Sequence, residues 1–232
     1  MTKMFRLIVF HILVFLPLAV YGGDSTEKVY CANHELVTIV SSDGEPPYVC
    51  DATQKAIEFL ARYDLHLKRP VTMEIIETSI NSRGYIAFGS YDRQLDKIQL
   101  MSFKAIMAGQ APEMYDQPFD LEHYRGAIAH EIAHSVFHHN SGDIEDQLTN
   151  ASQEYLAHAT QLGVLSPQRR KQIISAADVG PWEPGDSISE IYMSLNPTGF
   201  AVKSYLHLTA LEDPHPFIKI LLRNNWFYVS VP

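Results

Sequence analysis

With 232 residues, 46% hydrophobic and 19% charged, the chain has the size and composition of a single well-packed domain rather than a disordered segment. Its formal net charge is -9 and no long run of lysines or arginines breaks that balance, which argues against a nucleic-acid partner. The short run Arg169-Arg170-Lys171 reads as a solvated helix face.

At the N-terminus Lys3 and Arg6 precede an apolar run, Leu7 to Val20, followed by Tyr21-Gly22-Gly23. The run is short for a membrane span and is broken by Pro17, so residues 1–23 read as a cleaved secretory signal and not as a stable anchor. Cleavage moves the formal charge to about -11 and leaves 24–232 as one domain, secreted or periplasmic. The only two cysteines, Cys31 and Cys50, then favour a disulfide closing a loop of about 20 residues, worth roughly 3 kcal/mol. Their spacing lacks the C-x₂-C pairing of structural zinc sites.

Leu36 to Val40 is a β-branched strand ended by Ser41-Ser42-Asp43-Gly44, and Asp51 to Tyr63 has the apolar period of a helix. Val71 to Glu77 reads as a second strand; Tyr85 to Tyr91 and Ile98 to Phe103 read as a hairpin around Asp92-Arg93-Gln94. From Leu121 onward the pattern is helical, at about 121–139, 144–164, 167–177, 198–210 and 214–224, with a turn-rich surface loop at 178–187. The expected class is α+β: a small sheet with a hairpin edge in 24–120, then a mainly helical part in 121–232.

Within the helix 121–139 lies the sequence His130-Glu131-Ile132-Ala133-His134. At about 100° per residue, Leu121, Ile128, Ile132 and Val136 gather on one side, while His130, Glu131, His134 and His138 share another. His130 and His134, one turn apart, can reach one ion about 2.1 Å from each nitrogen; Glu131 is rotated away from it but stands close by. H-E-x-x-H on a helix is the motif of zinc-dependent hydrolases. The metzincin continuation is excluded, because Phe137 and Asn140 stand where it needs glycine and histidine. Downstream, Ala151, Glu154, His158 and Leu162 share a helix face, and a carboxylate turned inward there needs a partner.

His130-Glu131-x-x-His134 followed by Glu154, 20 residues after the second histidine, resembles the gluzincin zinc peptidases over about 121–162. The resemblance implies a zincin-like fold with one zinc ion on His130, His134 and Glu154, and Glu131 as general base acting on a peptide or protein substrate. The chain departs from the family where an acidic residue often follows the third ligand by four; here it has His158. His138 is placed either behind the ligands or as a competitor for the metal. The candidates for stabilising a developing oxyanion are Tyr192, Tyr205, His207 and His158, and the sequence does not choose among them. The hairpin 85–103 is expected to pair its edge with a substrate backbone. Two other readings stand beside the peptidase: an inactive zincin-fold protein with a structural zinc, and a hydrolase of non-peptide amides.

Overall fold

The computed structural model describes residues 27–31, 34–41, 47–82, 85–109, 112–142 and 150–232; the leader read at 1–23 lies outside them. Strand β1 (Glu27–Cys31) pairs antiparallel with β2 (His34–Ser41), and helix α1 (Pro47–Ala61) then crosses to β3 (Val71–Ile76), parallel to β2. A parallel pair requires such a crossover, and Ala52, Ala56, Phe59 and Leu60 supply its buried face. The helix begins at Pro47, four residues before the expected start, because a proline suits the first turn, where its missing N–H costs nothing. The expected disulfide is present: Cys31–Cys50 ties the end of β1 to the first turn of α1.

After β3 come β4 (Ile80–Ser82), β5 (Tyr85–Ala87), β6 (Gly89–Asp92) and β7 (Lys97–Met101). The expected strand Tyr85–Tyr91 is therefore split: β5 pairs with β4, while β6 joins β7 in the main sheet. The break falls at Phe88, whose ring packs 4.7 Å from that of Phe119 and whose carbonyl accepts the N–H of Met101 at 2.8 Å. The main sheet runs β1-β2-β3-β7-β6, so among the described residues β6 is an edge strand. Alternate residues of β2 and β3 are buried, as a sheet covered by helices on one face requires.

Helix α2 (Phe103–Met107), capped by Ser102, takes Phe103 out of the strand it was expected to end. The hairpin β8 (Glu113–Met114) and β9 (Gln117–Pro118) follows, with Tyr115 and Asp116 at φ 55° and 58° in its tight turn. Strands of two residues show no alternation, and the sequence pattern gave no element here.

The long helix α3 (Leu121–Asn140) starts where the Asp120 carboxylate accepts the N–H groups of Glu122 and His123. It packs against α1 on one flank and α4 (Asn150–Val164) on another, and touches β6 and β7. It is therefore buried almost all round, more than the expected two-faced helix. The remaining elements are α5 (Pro167–Ala177), β10 (Ser187–Ser189), α6 (Glu190–Leu195), α7 (Pro197–Ala210), α8 (His215–Arg223) and β11 (Tyr228–Ser230), with β10 paired to β11. The loop 178–187 carries Trp182 into the core, where its indole N–H donates to Ser204 Oγ at 3.2 Å. Among the described residues no helix is long and apolar enough to cross a membrane.

Candidate metal centre

His130 and His134 lie one turn apart on α3 and face Glu154 on α4. The two Nε2 atoms are 3.1 Å apart; His130 Nε2 is 3.3 Å from Glu154 Oε2, and His134 Nε2 is 3.7 Å from Oε1. Four ligands at zinc's usual 2.0–2.1 Å stand about 3.3–3.4 Å from one another, so the three donors are spaced as that ion requires. Two imidazoles and a carboxylate are also the donor types zinc takes, and they leave a coordination position open.

Burial lowers the imidazoles' affinity for protons, and it holds His134 at about 4 and His158 at about 3. Both rings are neutral at pH 7, the form a metal needs. For His130 the same burial is outweighed by the hydrogen bond and charge of Glu154, which raise it above its ordinary value. Burial likewise pushes Glu154 up, but the His130 hydrogen bond and the nearby imidazoles outweigh it and hold the carboxyl well below the usual range. The pair is thus strongly polarised, with the carboxylate side ready to bind a cation.

Gln161, on α4 two turns beyond Glu154, orients the first histidine. Its Oε1 lies 3.0 Å from His130 Nδ1 and accepts an N–H from it, which leaves Nε2, the atom that meets Glu154 in the metal-free site, as the one a metal ion would take. Gln161 is buried beside Gly126 of α3, where an added Cβ would approach its Cγ to 3.1 Å. In the gluzincin resemblance an acidic residue four after the third ligand supports a ligand histidine; here the group beside His130 is an amide seven after Glu154. No pattern in the sequence marked Gln161.

Glu131 lines the same cavity, of about 670 Å³, as His130, His134 and Glu154. Burial pushes its carboxyl up to about 7, with His130 pulling it down and Glu154 adding to the rise. On its other side Glu131 meets the edge strand β6. A Cβ placed on Gly89 would lie 2.6 Å from Glu131 Cγ and 2.9 Å from Oε1, so only glycine lets the strand come this close. Gly89, Ser90 and Tyr91 of β6 line the cavity, as do Asn150 and Gln153 of α4.

Of the four oxyanion candidates, only His158 reaches the cavity. Its Nε2 is 3.6 Å from Glu154 Oε2, and its Nδ1 is 3.1 Å from the hydroxyl of Tyr115, which also lines the cavity. Tyr115 lay outside the sequence reading because the β8–β9 turn that presents it did. Tyr192 packs on Trp182 instead, with ring centroids 5.0 Å apart. Tyr205 lies under the Arg170 guanidinium, and His207 is buried against the Tyr155 hydroxyl at 2.7 Å.

His138 also leaves the site, for one turn past His134 carries it beyond the cavity to the end of the sheet. There Asp96, in the β6–β7 turn, accepts from the Tyr91 hydroxyl at 2.6 Å, from Arg69 Nε at 2.5 Å and from His139 Nε2 at 2.8 Å. Arg69 Nη2 lies 3.0 Å from His138 Nδ1. Asp96, His138 and His139 have ligand atoms within 4.8 Å of one another, but the Arg69 guanidinium already supplies their positive charge. This network ties the edge strand to the end of α3, apart from the His130–His134–Glu154 cluster.

The model of a family described as a family of unknown function (DUF6639) matches residues 37–231. No curated protein and no solved structure matches the chain.

Proposed function

We propose that this chain, which belongs to that family of unknown function (DUF6639), is an exported zinc-dependent peptidase of gluzincin-like type and zincin-like fold. The observation that carries the reading is the convergence of His130, His134 and Glu154 in one cavity with the buried Glu131 beside them. His130, His134 and Glu154 hold the ion, and Gln161 fixes the His130 ring. A zinc ion there acidifies water and polarises a carbonyl group. Glu131, with a proton affinity close to neutrality, takes the proton of the attacking water and returns it to the departing amine. The edge of β6 at Gly89–Asp92, last strand of the main sheet among the described residues, is where an extended peptide would pair, and Tyr115 with His158 supplies polar groups in the same cavity. The Cys31–Cys50 disulfide, together with the leader expected from the sequence at 1–23, supports a site of action outside the cytosol.

The test is metal content and stoichiometry of the purified protein together with cleavage of a defined peptide mixture. One zinc per chain in wild type and Glu131→Gln, with cleavage lost only in the latter, is the expected result, as is weak or absent zinc in Glu154→Ala. A wild type that takes up no zinc on reconstitution would overturn the reading. One observation favours the rival, a closed structural zinc: His158 Nε2 is near Glu154. Zinc retained at full affinity in Glu154→Ala but lost in His158→Ala would support that rival. Cleavage of simple amides but no peptide would support the non-peptide amidase.

A further inference from the structure

Most of the exposed large apolar side chains fall in α6, α8 and the stretch that leads into β11. Trp226 and Phe227 are 68% and 89% exposed, and Tyr228 beside them is half exposed. Tyr228 pairs with Ser189, so this aromatic run enters β11 at the end of β10 where α6 begins. On α6, Ile191 and Leu195 lie one turn apart and are 75% and 81% exposed. The Ser189–Tyr228 pairing brings the start of α6 to the end of this aromatic run, and exposed apolar groups on adjoining segments mark an interaction site.

Charge indicates the partner. In a chain of net charge -9, the stretches 187–195 and 215–230 hold a single acidic side chain, the half-buried Glu190. Lys219 and Arg223, one turn apart, project from the exposed face of α8, whose other face buries Phe217, Ile218 and Leu221. Trp and Tyr beside cations on an amphipathic helix are the groups that settle at a lipid headgroup boundary. We propose that the corner formed by α6, α8 and the start of β11 docks on an anionic phospholipid bilayer, with Trp226 and Phe227 entering the headgroup layer and Lys219 and Arg223 meeting lipid phosphates. Pro197 and Thr198, two and three residues after Leu195, line the cavity, so docking sets the cavity mouth close to the membrane plane. The proposal is independent of the peptidase reading.

The chain holds two tryptophans, and Trp182 is buried, so a lipid-dependent emission shift belongs to Trp226. The experiment uses exported protein whose N-terminus has been read by mass spectrometry, since an uncleaved Leu7–Val20 run would itself partition into lipid. It is mixed with vesicles of phosphatidylcholine alone or of equal parts phosphatidylcholine and phosphatidylglycerol. Wild type is expected to co-sediment with the anionic vesicles only, with a blue shift of its emission. Phe227→Ser should weaken partitioning on the order of tenfold, and Lys219→Gln with Arg223→Gln by roughly five-fold per charge at low salt. All these positions are exposed, and unchanged Trp182 emission in Trp226→Ala reports that the fold is kept. No co-sedimentation, equal binding to both vesicles, or variants that bind like wild type would overturn the proposal. So would a blue shift that grows with protein concentration without lipid, which would make a second copy of the chain the occupant.

Discussion

Replacing Gln161 by leucine keeps the bulk of the side chain and removes the acceptor 3.0 Å from His130 Nδ1. Gln161 is 3% exposed, so water does not take its place. The His130 N–H is left buried without its acceptor, and the ring loses the contact that aims Nε2 at Glu154. Removing a partner that orients a metal-bound histidine weakens metal affinity about 10- to 100-fold, which is about 1.4–2.7 kcal/mol. The three donors themselves remain, so on the proposed reading zinc should still bind with unit stoichiometry. The assay is competition against a chromophoric chelator near neutral pH, run beside Glu154→Ala, in which a donor itself is lost and the weakening should be larger. Unchanged affinity in Gln161→Leu would refute the argument that this amide orients the ligand. Equal losses in the two variants would show that the pocket collapses as a unit instead.

The close approach at Gly89 predicts that Gly89→Ala displaces Glu131 by somewhat under 1 Å, and misplacement of that size costs on the order of 100-fold in rate. Zinc affinity should be unchanged while peptide cleavage falls; full cleavage would show that β6 does not set the position of Glu131. In metal-free protein, Glu131 rises from 4.5 to about 7, so its contribution is fully present below the unfolded value and is lost as pH rises through the folded one. The stability of Glu131→Gln relative to wild type should therefore increase by about 3 kcal/mol between pH 4.5 and 7, read by urea denaturation at several pH values. A flat difference would contradict it. Burial raises the Asp96 carboxyl, but hydrogen bonds from Arg69, Tyr91 and His139 outweigh this and hold it at about 2. Asp96→Asn should cost about 2 kcal/mol at neutral pH, a loss that shrinks as the wild type is acidified from pH 3.8 toward 2. Replacing Cys31 and Cys50 by serine should lower stability by about 3 kcal/mol, the chain entropy released when a loop of 19 residues opens; a thermal melt that does not move would show that the bond is dispensable.

The sequence by itself determined the features that depend on residues close along the chain. The helical period carried α3 to within a residue of its observed end, and the i, i+4 spacing placed His130 and His134 on one face. Glu154 was legible because an inward carboxylate on an apolar helix face demands a partner, and the parity of the cysteines foretold their bond. Tertiary structure alone decided what depends on approach between distant segments. Helix periodicity put His138 beside His134, yet the cavity ends one turn earlier, where Arg69 and Tyr91 claim that ring. Gln161 serves His130 only because α4 packs on α3 with Gly126 at the contact, and neither residue carries a pattern that announces it. Tyr115 reaches His158 from a two-residue strand pair too short to show any period. Tyr192, Tyr205 and His207 are polar aromatics that suit an active site and a core equally well, and only packing set the first two, half-buried, against the core and buried the third. A side chain's local element follows from its neighbours in sequence, whereas its partner across a cavity follows from how whole elements dock, and a single chain's sequence holds no direct record of that.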